Sequence, residues 1–265
     1  MKEGVPKQRE EMLKPVMDVH GAQDFFKFGE INGHPDQIIR KETFNTLEER
    51  YGGKLKVPEL VQMARELYNE LETKFGISIP ADFCIGKDDH GFDVVFSIVD
   101  KIRGDDLTRL KWSEGVPDQI ETLYASLARY FMEKRETGGL YLWDINHPSQ
   151  YVYGRKSDDQ REKIYLIDTD IFINNSIVGL YLTVEWLTRH MRGLSRQFAY
   201  TGEGHPEMKF DQAKEYIEQF MDQPIPDKIT EQEKENVQKN IDGINKFLRD
   251  EKLGPAPKTA IPVFV

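Results

Sequence analysis

Apolar positions along the chain alternate between two periods. Phe25 to Ile31 and Gln37 to Glu42 read as strands on either side of Asn32-Gly33-His34-Pro35-Asp36, where Asn-Gly followed by Pro predicts a tight reversal and a β-hairpin. After a charged stretch with Tyr51-Gly52-Gly53, Pro58 opens a run in which Leu60, Ala64, Leu67, Leu71 and Phe75 recur every three or four residues. That spacing predicts one amphipathic helix over Pro58 to Lys74. Ala81 to Gly86 and Asp93 to Lys101 then flank Lys87-Asp88-Asp89-His90-Gly91 as a second hairpin. The run Asp93-Val-Val-Phe-Ser-Ile-Val-Asp100 has the β-branched and aromatic content of a central strand.

Beyond Gly104 the period becomes helical. Ile120, Leu123, Leu127 and Phe131, with Tyr124 and Tyr130, form an apolar stripe behind Pro117, and Gly138-Gly139 ends it. A third hairpin is expected from Gln150 to Tyr153 and Lys163 to Ile167, joined by the polar run Gly154 to Glu162. Ile177, Leu180, Tyr181, Val184, Leu187 and Met191 share a helical face, and further helices are expected near Lys209–Met221 and Thr230–Arg249. The last is highly charged, with Val237, Ile241, Ile244 and Leu248 as its expected buried stripe. Residues 1–15 read as a loosely held lead-in, and Pro255, Pro257 and Pro262 as an extended tail. Sheet plus one helix followed by mostly helix predicts an α+β fold in two lobes, residues 1–103 and 104–265.

Charge narrows the function classes. With 36 Lys and Arg against 46 Asp and Glu, the 265-residue chain carries a formal charge of −10, which argues against binding nucleic acid or an anionic membrane. Its apolar runs, such as Ile177 to Val184, are too short to span a bilayer. Glu and Lys run through the first twenty residues without an apolar stretch, so no secretory signal is expected and the cytoplasm is the expected location. Cys84 is the single cysteine, which excludes an internal disulfide and a Cys-based zinc site; in its apolar strand it reads as a small buried hydrophobe.

The candidate chemistry lies in two acidic motifs, Leu142-Trp-Asp144-Ile-Asn-His-Pro-Ser-Gln150-Tyr-Val152 and Ile164-Tyr-Leu-Ile-Asp168-Thr-Asp170-Ile171. Each sets a carboxylate next to a hairpin mouth, at the end of an apolar strand. Burial there is costly unless the group is hydrogen-bonded or holds a cation. Carboxylates brought together at strand ends suit a hard divalent ion such as Mg²⁺. Taken singly, each Asp also fits a turn or cap satisfied by backbone amides. His147, beside Pro148, reads as a loop-shaping residue. His20, His34, His90, His190 and His205 have no metal-like spacing, and Trp112, Trp143 and Trp186 read as core.

Over roughly residues 15–195 the element order and these motifs resemble the protein-kinase-like fold, on the side of small-molecule phosphotransferases and other atypical kinases. Asp144-Ile-Asn-His-Pro-Ser-Gln-Tyr-Val resembles that family's catalytic loop, and Leu166-Ile-Asp168-Thr-Asp170 its metal-binding segment. Val99-Asp-Lys-Ile-Arg-Gly104-Asp-Asp-Leu107 is similar to the hinge, and Ile38-Ile-Arg-Lys41 to the strand bearing the phosphate-contacting lysine. The resemblance implies ATP and Mg²⁺ as cofactors and a small-molecule or protein hydroxyl as phosphoryl acceptor. It gives Asp144 the acceptor proton, Lys41 the α and β phosphates, and Gln150, Asp168 and Asp170 the metal. Gly21, Asp100 and Ile102 would face the nucleotide. The helix from Pro58 would supply a glutamate to Lys41. Glu59, Glu66 and Glu70 all lie on nearly one face, and Glu66 is taken as the mid-helix residue.

Such a site works by positioning and charge neutralisation. Leu142 stands where the family has His, Gln150 is an amide one position late, and His20-Gly21-Ala-Gln-Asp24 holds a single glycine. These departures motivate an alternative, a kinase-like pseudoenzyme that binds a protein partner. A metal-dependent hydrolase using Asp144, Asp168 and Asp170 would explain the carboxylates but neither Lys41 nor the hinge.

Overall fold

The computed structural model of the chain describes residues 26–31, 34–42, 56–87, 93–157, 161–168, 173–201, 207–226 and 229–249. Strands β1 (Phe26–Ile31) and β2 (His34–Glu42) precede helix α1 (Val57–Phe75), and β3 (Ala81–Lys87), β4 (Asp93–Asp100) and β5 (Arg103–Asp106) follow it. Helix α2 (Val116–Thr137) leads to β6 (Tyr141–Leu142), a 3-10 turn (Pro148–Gln150), β7 (Tyr151–Arg155), β8 (Lys163–Leu166) and β9 (Ile173–Asn174). Three helices complete the order, α3 (Ile177–Thr201), α4 (Asp211–Asp222) and α5 (Glu231–Arg249). The fold is α+β, as the periodicities predict.

The first sheet is four-stranded and antiparallel, in the order β1-β2-β4-β3. Helix α1 starts with Pro58 in its first turn, and the Lys56 amide donates to Glu59 Oε2 at 3.2 Å. It ends at Gly76, whose φ of 70° suits a residue without Cβ, while the Ile77 amide returns to the Leu71 carbonyl at 3.1 Å. Its apolar side, including Ala64, Leu71 and Phe75, is buried, and Tyr68 packs on Phe83 of β3 with ring centroids 5.3 Å apart. The linker after α1 joins this layer to the next: the Leu166 amide donates to the Ser78 carbonyl at 2.9 Å, and the Asp100 amide to the Pro80 carbonyl at 2.8 Å.

The second sheet, β5-β7-β8, contains a strand that the periodicity misses. Residues after Gly104 were expected to turn helical, yet Arg103–Asp106 pairs with β7 before α2 begins. Three of its four residues are exposed, so no alternation marks it. Gly104 faces Gly154 across the pair. A Cβ on Gly104 would lie 2.0 Å from the Tyr153 carbonyl oxygen, so only glycine permits this approach. A further pair, β6-β9, is two residues long on each side, too short for any period.

One continuous apolar core runs from α1 through the helical part to α5, and Cys84 is buried and in no disulfide, as expected. The stripe of α5 differs by a rotation about the helix axis. Val237 and Ile244 are buried, but Asn240 and Phe247 take the places expected of Ile241 and Leu248, which are only partly buried. Gly243 explains this, because its Cβ position lies 2.8 Å from Glu185 Oε1 of α3, and the helices approach on that face. Of the tryptophans expected in the core, Trp112 and Trp143 are half-buried and pack against it, and Trp186 is half-buried. Among the described residues, no helix is long and apolar enough to cross a membrane.

Candidate active site

The loop between β6 and β7 carries Asp144, and buried side chains hold its backbone at nearly every residue. The Leu142 amide donates to the Tyr130 hydroxyl at 2.9 Å. The carbonyl of Asp144 accepts from Gln150 Nε2, and that of Ile145 from the Tyr151 hydroxyl. The carbonyl of Asn146 accepts twice, from the Tyr124 hydroxyl at 3.2 Å and from His190 Nδ1 at 2.9 Å. Asn146 Nδ2 donates to the Thr183 carbonyl at 2.8 Å. His147 caps the 3-10 turn, its Nδ1 accepting the Ser149 amide at 3.2 Å, with Pro148 in the first position. Tyr124, Tyr130, Tyr151, Asn146 and Gln150 are all buried. Polar groups so placed are costly unless bonded, so the network is both enforced by burial and specific in geometry.

Asp168 reaches the same loop through the backbone. The carbonyl of Gln150 accepts from the amides of Ile167 at 2.9 Å and Asp168 at 3.4 Å. Asp144 and Asp168 are both half-buried. The two acidic motifs therefore meet, with Gln150 as the link. Burial raises the Tyr151 phenol far above its ordinary pKa, and the Asp144 charge raises it further.

Gln150, the expected amide ligand of the metal, braces the loop in this structure. Its Oε1 accepts the His147 amide at 3.1 Å while its Nε2 serves the Asp144 carbonyl, so both ends of the amide brace the loop. The glutamates of α1 are engaged elsewhere too. Glu66 is exposed and accepts from Gln62 Nε2 at 2.8 Å, Glu59 caps the helix, and Glu70 pairs with Lys134. The backbone of Lys41 lies on β2 opposite Phe96 of β4, and its side chain lies outside the described residues. Gly21 and Asp170 lie outside them altogether. Among the described residues, no group of three or more His, Cys, Asp or Glu side chains could hold a metal ion.

At the end of β4, Asp100 accepts from Gln37 Nε2 at 2.9 Å and pairs with Lys156 Nζ at 2.9 Å, so its carboxylate ties β2 to the β7–β8 connection. Ile102, next in the linker to β5, is half-buried. A depression of about 300 Å³ beside them is lined by His34, Asp36, Gln37, Asp100, Lys101 and Lys156 among others.

Periodicity treated Tyr124 and Tyr130 as core and gave His190 no role. The available signal was the hydroxyl, since a buried Tyr needs a partner that Phe does not. His190 packs edge-to-face on His147 with centroids 4.8 Å apart, and Trp143 stacks on Trp186 at 6.2 Å. Burial lowers the His190 pKa to about 4, with a contribution from His147. The unfolded ring titrates near 6.5, so acid protonates the unfolded chain first. Stability is thus expected to fall as pH drops from about 6.5 towards 4, by about 3 kcal/mol from this group alone. Urea unfolding of the wild type and His190→Asn at pH 7.5 and 4.5 checks it; identical pH dependence in both would reject the assignment.

No family model matches the sequence, and no curated protein matches it. Among solved structures, the chain is similar to the kinase domain of PknI from Mycobacterium tuberculosis. A double mutant of that domain matches at 14% identity and a TM-score of 0.37, covering 84% of this chain and 92% of that one. A single mutant matches at 14% identity and a TM-score of 0.33, covering 75% and 92%. A likeness of that size assigns neither fold nor activity to this chain.

Proposed function

We propose that the chain is an ATP- and Mg²⁺-dependent phosphotransferase of kinase-like, two-lobed plan, acting on a small-molecule or protein hydroxyl. Residues 1–103 would form the nucleotide-side lobe, and residues 104–265 the helical lobe with the acidic motifs. The observation that carries the proposal is the framed loop: groups from α2, α3, β7 and the loop itself, most of them buried, fix the backbone around Asp144, and its Gln150 carbonyl bonds the Asp168 amide. Preorganisation of that density has a use where a carboxylate must stand still beside a reacting group. The strand order adds support. Helix α1 interrupts the first sheet between β2 and β3, and β2, with Lys41, is central next to β4, which leads into the linker at residues 101–102.

In this reading Asp144 takes the acceptor proton, Asp168 and Asp170 hold Mg²⁺, and Lys41 contacts phosphate. Mg²⁺ keeps most of its shell as water and phosphate oxygen, so two carboxylates suffice and Gln150 is free to remain a brace. Gly21, Asp100 and Ile102 border the nucleotide, with Glu66 the glutamate nearest mid-helix. A kinase-like pseudoenzyme that binds a protein partner is the second reading. It is favoured by two observations, the Gln150 amide spent on the loop and the exposed Glu66 paired with Gln62.

Titration calorimetry with ATP, with and without Mg²⁺, tests the proposal. A hundredfold excess over Kd stabilises the native state by about 2.7 kcal/mol, visible as a rise of several degrees in Tm. Asp168→Asn is expected to remove most of the Mg²⁺-dependent part while leaving the fold intact. Unchanged affinity in that variant rejects Asp168 as ligand. A wild type that binds no nucleotide sinks both kinase-like readings.

A further inference from the structure

We propose that His190 of α3 is the positioning residue of the Asp144 loop, clamping the Asn146 carbonyl jointly with the Tyr124 hydroxyl and so setting where Asp144 stands. The role given to Asp144 rests on the phosphotransferase reading; the clamp is a statement about the loop itself.

Most braces in the loop are local in sequence. Gln150 and Tyr151 each reach back six residues, and His147 bonds its own turn. Such contacts shape the loop and, through Tyr151, tie it to β7, but they do not join it to the helices. Past Leu142, three hydrogen bonds to the helices converge on Asn146: from Tyr124 of α2, from His190 of α3, and from the Asn146 side chain to Thr183 of α3. A carbonyl has two lone pairs. Here they are taken by donors from two different helices. Asn146 is 1% exposed and Ile145 is 1% exposed, so the segment beside Asp144 has no freedom to relax toward solvent.

The imidazole is held as well as holding. Its Nδ1 faces a carbonyl, which only accepts, so Nδ1 must carry the proton and Nε2 is bare in the neutral ring. His147 from the loop and Arg189 from its own helix are the titratable and charged groups that act on it, and Tyr124 from α2 shares the Asn146 carbonyl with it. Positions 183, 186 and 190 form one stripe of α3, and Thr183, Trp186 and His190 on that stripe contact Asn146, Trp143 and His147 respectively. Helix α3 is thus the platform for this loop, and His190 its donor.

The tautomer is the first test. A neutral histidine free in solution favours the Nε2–H form, so ¹⁵N spectroscopy of the wild type should find His190 as Nδ1–H; an Nε2–H ring overturns the clamp. The second test compares His190→Asn, which keeps a donor near the Nδ1 position, with His190→Leu, which keeps only bulk. Amide hydrogen exchange over residues 144–150 should quicken roughly tenfold in the Leu variant, about one hydrogen bond's worth, and stay near wild type in Asn. Wild-type exchange in Leu, or equally fast exchange in both, overturns the proposal. Should Leu fail to fold, the tautomer and the Asn variant still decide. In an active wild type, Leu should lower kcat with ATP affinity unchanged, and a fall in ATP affinity instead counts against positioning. An inactive wild type would reject the phosphotransferase reading while the tautomer and exchange results stand by themselves.

Discussion

Replacing Arg135 with Met is expected to destabilise the protein by about 3–6 kcal/mol, since two hydrogen bonds from a charged donor are lost at about 1.5–3 kcal/mol each. Arg135 lies near the end of α2 and is only 8% exposed. Its guanidinium donates from Nη1 to the Phe220 carbonyl and from Nη2 to the Gln223 carbonyl. Those oxygens belong to the last turn of α4 and the residue that caps it, where helix carbonyls have no partner of their own. A cation there also opposes the negative end of the helix dipole. The same group lies over two rings, 4.7 Å from the Tyr181 centroid and 4.5 Å from that of Phe220. One side chain thereby joins α2, α3 and α4. Burial lowers its pKa, but guanidinium starts so high that the charge persists. Met has comparable length and no donor, so the test isolates the polar contacts. Lys should recover part of the loss, because a single ammonium cannot serve both carbonyls in the fork geometry. Urea unfolding checks both variants, as a fall in midpoint at constant slope. A Met variant within about 1 kcal/mol of wild type would mean water takes over the carbonyls.

The sequence's legibility divides along physical lines. Elements long enough to repeat a period were visible: α1 spans Val57–Phe75 where Pro58 to Lys74 was expected, and the β3–β4 pair matches its hairpin. Segments with no period were not. Strand β5 is exposed on three residues and depends on a Gly104–Gly154 approach that only pairing reveals. The α5 stripe is ambiguous because residues three and four apart share a face, and Gly243 against Glu185 decides between them.

The candidate site divides in the same way. The carboxylates were found because an Asp ending an apolar strand is conspicuous, and the Gln150 carbonyl does bring Asp168 to the Asp144 loop. What holds the loop was hidden. Tyr124 and Tyr130 count as apolar in any periodicity, and their hydroxyls find partners, at Asn146 and Leu142, only once the helix is packed. His190 lies 44 residues from the carbonyl it bonds, a separation no local motif spans. The type of Gln150 suggests a ligand, and its two bonds to the loop arise from the tightness of the turn, which no residue type announces.

Asp144→Asn is expected to lower phosphoryl-transfer turnover by roughly 10²–10⁴-fold, the usual worth of a general base, with ATP affinity close to wild type. The substitution is well conditioned because the Asp144 carbonyl accepts from Gln150 Nε2, a backbone bond that Asn at this position keeps. The loop should therefore keep its shape when the charge is removed. A group that touches the acceptor and not the nucleotide contributes to the rate and little to ATP binding. Lys41→Ala should behave oppositely, weakening ATP itself, since its assigned contacts are the phosphates. With the acceptor class open between small molecules and proteins, the first assays are ATP consumption and autophosphorylation, followed by a broad acceptor panel. Turnover in Asp144→Asn equal to wild type rejects the base role. A wild type that binds ATP yet transfers to no acceptor and hydrolyses none selects the pseudoenzyme, and the framed loop is then a rigid surface for a partner. The catalytic reading is preferred because a frame that fixes each carbonyl from Asp144 to Asn146 constrains a backbone far more tightly than a docking face requires.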